Sequence, residues 1–281
     1  MHRVSTDIFA QPLAIAGTGK IAQALSVLLT ERGVRVHGGS ARGDAIRRLP
    51  RLASHILIAV TDSAIAEVAA SLAKTGLTRA VILHTSGAIG PQVLDVLRRA
   101  GNSVGVLHPL QTVPSIEHGI ENLPGSTFAF AGDPEAAAWA SGLIALLNGK
   151  PLRVNPDFWH HYHAGAVMAC NYQMTLVDCA LELMSVAGIA RDQALDALAP
   201  ILRAATENVL TSGPVCSLTG PIRRGDVPTV ARHLAAMNDA TPETKRLYLT
   251  AGLRTILLAQ RAGLPESEAR RLKELLMAEA I

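Results

Sequence analysis

The sequence is poor in lysine, cysteine, aromatic residues and charge. Of its 26 basic residues five are lysines (Lys20, Lys74, Lys150, Lys245 and Lys273) and the rest arginines, so few positions could supply a reactive amine. The three cysteines, Cys170, Cys179 and Cys216, form an odd, scattered set. No disulfide framework or zinc spacing follows from them, and a reducing compartment is expected. Aromatic residues make up 3% of the chain and charged residues 17%, too little charge for a disordered chain or a charge-driven tail. A formal net charge of +3 is too weak for a nucleic-acid footprint. Long hydrophobic runs are also missing. The most apolar stretch, residues 164–189, contains Asn171, Gln173, Asp178 and Glu182, so it reads as a buried soluble helix and no membrane contact is expected. The first twelve residues lack a charged segment followed by an apolar run, and no signal peptide is read there. What remains is a cytoplasmic, alanine-rich globular chain of 281 residues, long enough for two modest domains.

The first half alternates short apolar runs with helical patterns. Residues 13–16, 34–37, 55–60, 80–84, 103–107 and 127–130 read as strands. Residues 21–29, 64–74 and 91–100 read as helices, as does a segment opened by Asp133 as cap and closed near Gly149. Such alternation predicts a doubly wound, mainly parallel α/β sheet with helices on both faces. Past about residue 155 the strand signals stop. Residues 163–187, 192–210, 227–237, 242–262 and 265–280 all read as helices. The expected division is an α/β domain over residues 1–154 and an all-α domain over 155–281.

Gly17-Thr18-Gly19-Lys20-Ile21-Ala22 follows the first strand and opens the first helix. In that context a G-x-G-x-x-A segment is a dinucleotide-binding signal. The first glycine allows the tight turn, the second admits a pyrophosphate to the backbone, and the helix N-terminus faces its charge. The second strand ends in His37-Gly38-Gly39-Ser40-Ala41-Arg42, with no carboxylate before Asp44. A ribose 2′-hydroxyl calls for Asp or Glu at this place. Ser40 and Arg42 instead suit a 2′-phosphate, so NADP(H) is favoured over NAD. Arg47 and Arg48 read as exposed helix residues.

Three more segments lie at the carboxyl ends of strands, where open α/β sheets bind ligands. They are Thr61-Asp62-Ser63, His84-Thr85-Ser86-Gly87 and His108-Pro109-Leu110. The helical half adds Tyr162-His163-Ala164, Cys170-Asn171-Tyr172 and the polar loop from Thr219 to Asp226. Together these segments, over nearly the whole chain, resemble the Rossmann-like oxidoreductases with a C-terminal helical domain of formally unknown function. That family lies in the 6-phosphogluconate-dehydrogenase-like superfamily and includes alternative ketopantoate reductases. The resemblance implies that Thr61, His84, Thr85 and Ser86 lie near the nicotinamide. It also implies that the helix from His163 lines a cleft and that the chain forms a homodimer.

Reducing a carbonyl needs a proton donor and a group to hold the substrate. Many superfamily members carry a lysine on the cleft helix one turn before an asparagine. Here Asn171 matches the asparagine and the helix contains no lysine. His163, Val167 and Asn171 share a face by four-residue spacing. His163 is the expected proton donor, with His84 in reserve, and Asn171 the amide that orients substrate. His108, Thr219 and Arg223 are candidate substrate contacts, Arg223 for a carboxylate. Gly17, Thr18, Gly19, Lys20, Ile21, Ser40, Arg42, Thr61, Asp62, Thr85 and Ser86 are the candidate cofactor contacts. No metal set is read, although His160 and His161 adjoin His163. The expected activity is NADPH-dependent reduction of a small 2-oxo acid, with ketopantoate first. The alternatives are a cyclic-imine reductase, a non-catalytic NADP-binding regulator, and a Rossmann domain for another nucleotide.

Overall fold

The computed structural model describes residues 11–279. The leader reading at the first residues falls almost wholly outside them. The chain divides into two compact units after Ala169.

The first unit is built on a seven-stranded sheet of order β2-β1-β3-β4-β5-β6-β7. Strand β1 (Leu13–Ala16) leads to α1 (Lys20–Glu31), β2 (Val36–Gly39), α2 (Gly43–Leu52), β3 (His55–Ile58), α3 (Asp62–Ala73) and β4 (Val81–His84). A 3-10 turn (Pro91–Leu94), α4 (Asp95–Arg99), β5 (Ser103–Pro109), α5 (Ile116–Asn122), β6 (Thr127–Gly132), α6 (Pro134–Leu146) and β7 (Lys150–Arg153) complete it. Pairing is parallel throughout except between β5 and β6. Alternate residues of one strand face opposite layers. Leu13, Ile15, Leu57, Leu83 and Leu107 pack with α1 and α6, whereas Ala14, Ile56, Ile58, Ile82 and Val104 pack with α2 and α3. Burial on both faces is why these strands read as continuous apolar runs.

The expected sheet is present, with local differences. β2 runs two residues later than its apolar run, because its register pairs Leu13 with Val36 and carries on through Gly38 and Gly39. The Gly39 carbonyl accepts the Gly17 N–H at 2.9 Å. Two glycines carry no strand signal, and only that ladder reveals their state. β7 has four exposed residues, Lys-Pro-Leu-Arg, on the sheet edge. It has no alternation to read, and lysine and proline are common at edges. Asp133 stands at the start of α6 but makes no capping bond. Its carboxylate instead accepts the Val104 N–H at 2.9 Å and the Arg98 Nε–H at 3.1 Å.

After β7 a short 3-10 turn (Pro156–Phe158) enters α7 (Trp159–Ala169), which belongs to the first unit. The sheet therefore ends close to the expected boundary at 154/155, while the compact units part after Ala169. The single helix expected over 163–187 is two helices. Cys170, at φ −111° and ψ −70°, separates α7 from α8 (Asn171–Val186).

The second unit continues with α9 (Arg191–Ser217), α10 (Gly220–Arg223), α11 (Val227–Ala236), α12 (Pro242–Arg261) and α13 (Glu266–Ala278). Helix α9 bends at Gly213, whose φ of 74° lies in the left-handed region open to glycine. Val230, Leu234, Leu249, Ile256, Ala259, Leu272 and Leu276, from α11 to α13, form this unit's core. Asp226 caps α11 by accepting the Thr229 N–H at 3.1 Å, as its sequence position predicts. Helices α8 and α9 bury only Leu181 and Ala194 between them. No helix among the described residues is long and apolar enough to cross a membrane.

Candidate active site

The β1–α1 turn shows why each glycine stands where it does. Gly17 has φ +147°, and a Cβ on it would overlap the Ala59 carbonyl oxygen and stand 2.7 Å from its carbonyl carbon. Only glycine fits between the ends of β1 and β3. Gly19 is different. It caps α1 at φ −76°, and a Cβ there would meet nothing within 4 Å. Its lack of a side chain leaves open space in front of the first turn of α1, where unpaired N–H groups face outward. Gln23 steadies the turn by donating to the Thr18 carbonyl at 2.7 Å.

That space belongs to a cleft of about 1360 Å³ within the first unit. Of the expected cofactor contacts, Gly17, Thr18, Gly19, Lys20, Ile21, Ser40, Arg42, Thr61 and Thr85 line it. Asp62 and Ser86 do not. Asp62 is the first residue of α3, beside the rim residue Thr61. Ser86 is buried, and its hydroxyl accepts the N–H groups of Ala88 and Ile89 at 3.2 and 3.1 Å. It is occupied in closing its own turn. The cleft also gathers residues outside the expected cofactor contacts. Arg47 is an exposed residue of α2, as expected, and also lines it, with Arg51 one turn later and Lys74 after α3. The i, i+4 spacing of Arg47 and Arg51 was the available signal. Asp44 and Glu67 are the carboxylates on the wall. Lys20, Arg42, Arg47, Arg51 and Lys74 outnumber them, so the wall suits an anionic, phosphate-bearing ligand. Open backbone at Gly19 and cations past β2 fit a dinucleotide carrying a 2′-phosphate.

Thr85 carries the cleft towards a group of histidines. His84, the last residue of β4, is fully buried. Its Nδ1 accepts the Ser86 N–H at 3.2 Å, so its Nε2–H donates to the Gly90 carbonyl at 3.2 Å. Burial is the main cause that pushes its pKa down to about 4. A neutral imidazole with both nitrogens spent on backbone is a structural residue. This corrects the expectation of His84 as a reserve proton donor.

His108, on β5, is half-buried and reaches Tyr162 on α7, with Nδ1 2.7 Å from the phenolic oxygen. Burial, then the neighbouring His163, pushes His108 down to about 4, partly offset by Asp62. Burial pushes the Tyr162 hydroxyl up to about 12. The rings of His108 and His163 stand 6.1 Å apart at 75°. Gly87 makes room for them: a Cβ there would stand 2.6 Å from His108 Nε2 and 2.7 Å from His163 Cδ2. The Thr85–Gly87 turn therefore touches the cleft at one end and both imidazoles at the other.

The remaining candidates lie in the second unit. Asn171 is exposed at the start of α8, and the break at Cys170 removes the continuous helix that put it on the face of His163. Thr219 is the exposed N-cap of α10. Arg223 donates from Nη2 to the Ala262 carbonyl just past α12, so its guanidinium is engaged at a helix end. That contact uses one of the five guanidinium N–H groups and anchors the side chain at the helix end. Among the described residues no three His, Cys, Asp or Glu side chains gather as a metal group.

Residues 126–255, a little under half of the chain, match a domain of unknown function, DUF2520. That span begins just before β6 and runs into α12. Together with the fold of the first unit, it bears out the resemblance to Rossmann-like proteins with a helical domain of unknown function. The chain is similar over 91% of its length to a candidate NADP oxidoreductase from Bacteroides fragilis, with 22% identity, 98% of that chain covered and a TM-score of 0.66. An Aspergillus terreus reductive aminase in complex with NADPH and ethyl levulinate matches at 15% identity and TM-score 0.63, covering 95% of this chain and 99% of that one. Plasmodium falciparum pyrroline carboxylate reductase with NADP bound matches at 13% identity and TM-score 0.53, covering 95% and 98%. At such identities the likeness shows a shared fold. No curated protein matches the sequence.

Proposed function

We propose that the protein is a cytoplasmic NADPH-dependent reductase of a small 2-oxo acid, with ketopantoate as the first substrate to test. One observation carries this reading: the Thr85–Gly87 turn borders the glycine-loop cleft at one end and two imidazoles at the other, with no lysine beside them. NADPH, when bound, supplies a hydride. Gly17 and Gly19 would admit its pyrophosphate to the backbone at the start of α1, and Ser40, Arg42 and Arg47 would hold the 2′-phosphate. Thr61 and Thr85 lie along the rest of the cleft.

The chain's own groups then manage charge and protons at the substrate. Addition of hydride to the carbonyl carbon moves the C=O π pair onto oxygen, which must take a proton. His163 would give that proton from its imidazole. His108, held neutral by burial, suits hydrogen bonding to substrate rather than proton supply. A homodimer belongs to the same proposal. Met174 and Leu176 on α8, and Ile201 and Leu210 on α9, leave large apolar side chains in solvent, with Leu210 76% exposed. Exposed apolar area on that scale is the usual mark of an association surface.

The test is NADPH oxidation with ketopantoate, other 2-oxo acids and a panel of cyclic imines. Turnover of ketopantoate supports the substrate assignment, and its absence removes it. A second reading, reduction of a C=N bond, is favoured by the fold shared with a pyrroline carboxylate reductase and a reductive aminase. Turnover of imines alone, with His163 dispensable, would select it.

A further inference from the structure

Tyr162 is absent from the roles assigned so far, yet it makes the shortest polar contact in the histidine group. Its hydroxyl lies 2.7 Å from His108 Nδ1 and has no other hydrogen-bond partner among the described residues. Two arrangements fit that distance. Either the phenol donates to Nδ1 and the ring proton sits on Nε2, or Nδ1–H donates to the phenolic oxygen. The second strands the phenolic proton in a half-buried place and leaves Nε2 bare, which wastes a donor. The first pairs the phenol with Nδ1, leaves one unpaired group instead of two, and makes that group, His108 Nε2, an N–H donor. That nitrogen lies against Gly87, whose missing side chain leaves it uncovered on that side, beside His163. The phenol itself is fixed from behind by the buried Trp159, whose ring centroid lies 5.1 Å away.

We propose that Tyr162 is a positioning residue that locks His108 as its Nε2–H tautomer, and that this N–H donates a hydrogen bond to the carbonyl oxygen of the substrate. The inference deepens the reductase reading and rests on it. It gives the two imidazoles different tasks. His163 carries the proton that the oxygen receives, while His108 stays neutral and polarises the C=O bond through a hydrogen bond strengthened as negative charge gathers on oxygen. No proton leaves His108, so it is ready for the next turnover unchanged. The groups facing His108 are Tyr162 and His163 from α7, with Asp62 at the start of α3 acting through space. An acceptor oxygen suits such a donor, whereas a protonated iminium nitrogen has no lone pair to offer it. The pair therefore favours carbonyl over iminium substrates.

Two measurements on the full chain test this. Long-range nitrogen–carbon NMR of the histidine rings, without cofactor or substrate, reads the tautomer directly. His108 is expected as Nε2–H in the native protein and as a mixture in Tyr162→Phe, which keeps the packing on Trp159. Steady-state kinetics of Tyr162→Phe with a 2-oxo acid is expected to show kcat about tenfold lower with KM within about threefold. His108→Gln, which retains an N–H donor without the ring, should keep more kcat than His108→Leu. Native His108 found as Nδ1–H overturns the proposal, as does a Tyr162→Phe variant with tautomer and kcat both unchanged. If the native chain reduces no oxo acid, the substrate role of His108 falls with the reductase reading, and the NMR result still decides the lock by itself.

Discussion

Replacing Gly17 and Gly19 one at a time separates the structural glycine of the loop from the ligand-facing one. At Gly17 an added Cβ would stand 2.7 Å from the Ala59 carbonyl carbon and overlap its oxygen. Ordinary carbon contacts are about 3.5–4.0 Å, so the ends of β1 and β3 must part by roughly 1 Å. Overpacking of this kind costs about 1–3 kcal/mol. The φ of +147° adds strain of about 1–3 kcal/mol for any residue with a side chain. A loss near 4 kcal/mol follows for Gly17→Ala, and a melting temperature lower by roughly 8–16 °C. At Gly19 the backbone is ordinary and a Cβ meets nothing, so Gly19→Ala should melt within about 2 °C of the native protein. Its methyl group would instead occupy the approach to the first turn of α1. NADPH affinity by calorimetry should fall by about 10–100-fold, equivalent to roughly 1.4–2.7 kcal/mol. A Gly17→Ala protein as stable as the native one would refute the packing argument. A Gly19→Ala protein with native NADPH affinity would refute the placing of the ligand.

Four further outcomes follow from the same geometry. His163→Ala should lower kcat for oxo-acid reduction by at least about 100-fold while leaving NADPH affinity within about twofold, and full retained activity would remove it as proton donor. Arg42→Ala and Arg47→Ala should each weaken NADPH binding by about tenfold and NADH binding hardly at all, and an equal effect on both nucleotides would undo the 2′-phosphate assignment. His84 and His108 are both held down to about 4 from an ordinary value near 6.5. Between those values the unfolded chain binds more protons than the folded one, so stability is full above about pH 6.5 and falls as pH drops towards 4. The urea midpoint should fall across that window, and by less in His84→Gln; identical pH profiles for the two proteins would count against the burial argument. Leu210→Glu should convert a dimer into monomers on size-exclusion chromatography with light scattering, whereas a native chain that is already monomeric would end the dimer proposal.

Most of the fold is legible along the chain. Strands β1, β3 and β4 are buried on both sides, so apolar runs ending at glycine, threonine or histidine mark them without help from neighbours. Gly17 and Gly19 announce the loop because two unlike constraints, a close backbone approach and an open face, both demand glycine. What escapes is held by pairing rather than by composition. β7 is an exposed edge with no alternation, and the glycine end of β2 is a strand only because the ladder with β1 extends that far. Asp133 has the position of a cap, yet its carboxylate is drawn to Val104 and Arg98, groups brought near only by the sheet.

The site divides along the same line. The sequence alone determined that a dinucleotide loop follows β1, that no carboxylate ends β2, that no lysine stands on the helix after His163, and that histidines end two successive strands. These are properties of neighbouring residues, set by backbone sterics and side-chain chemistry. The tertiary structure decided which histidine is free. His84 and His108 look alike in sequence, but one spends both nitrogens on backbone and the other meets a phenol from a helix more than fifty residues later. It also decided that Arg47 faces the cleft, that Arg223 is tied to a helix end, and that Asn171 opens a new helix. Hydrogen-bond satisfaction is a tertiary property: a buried polar group takes whichever partner packing brings to it, and local sequence cannot name that partner.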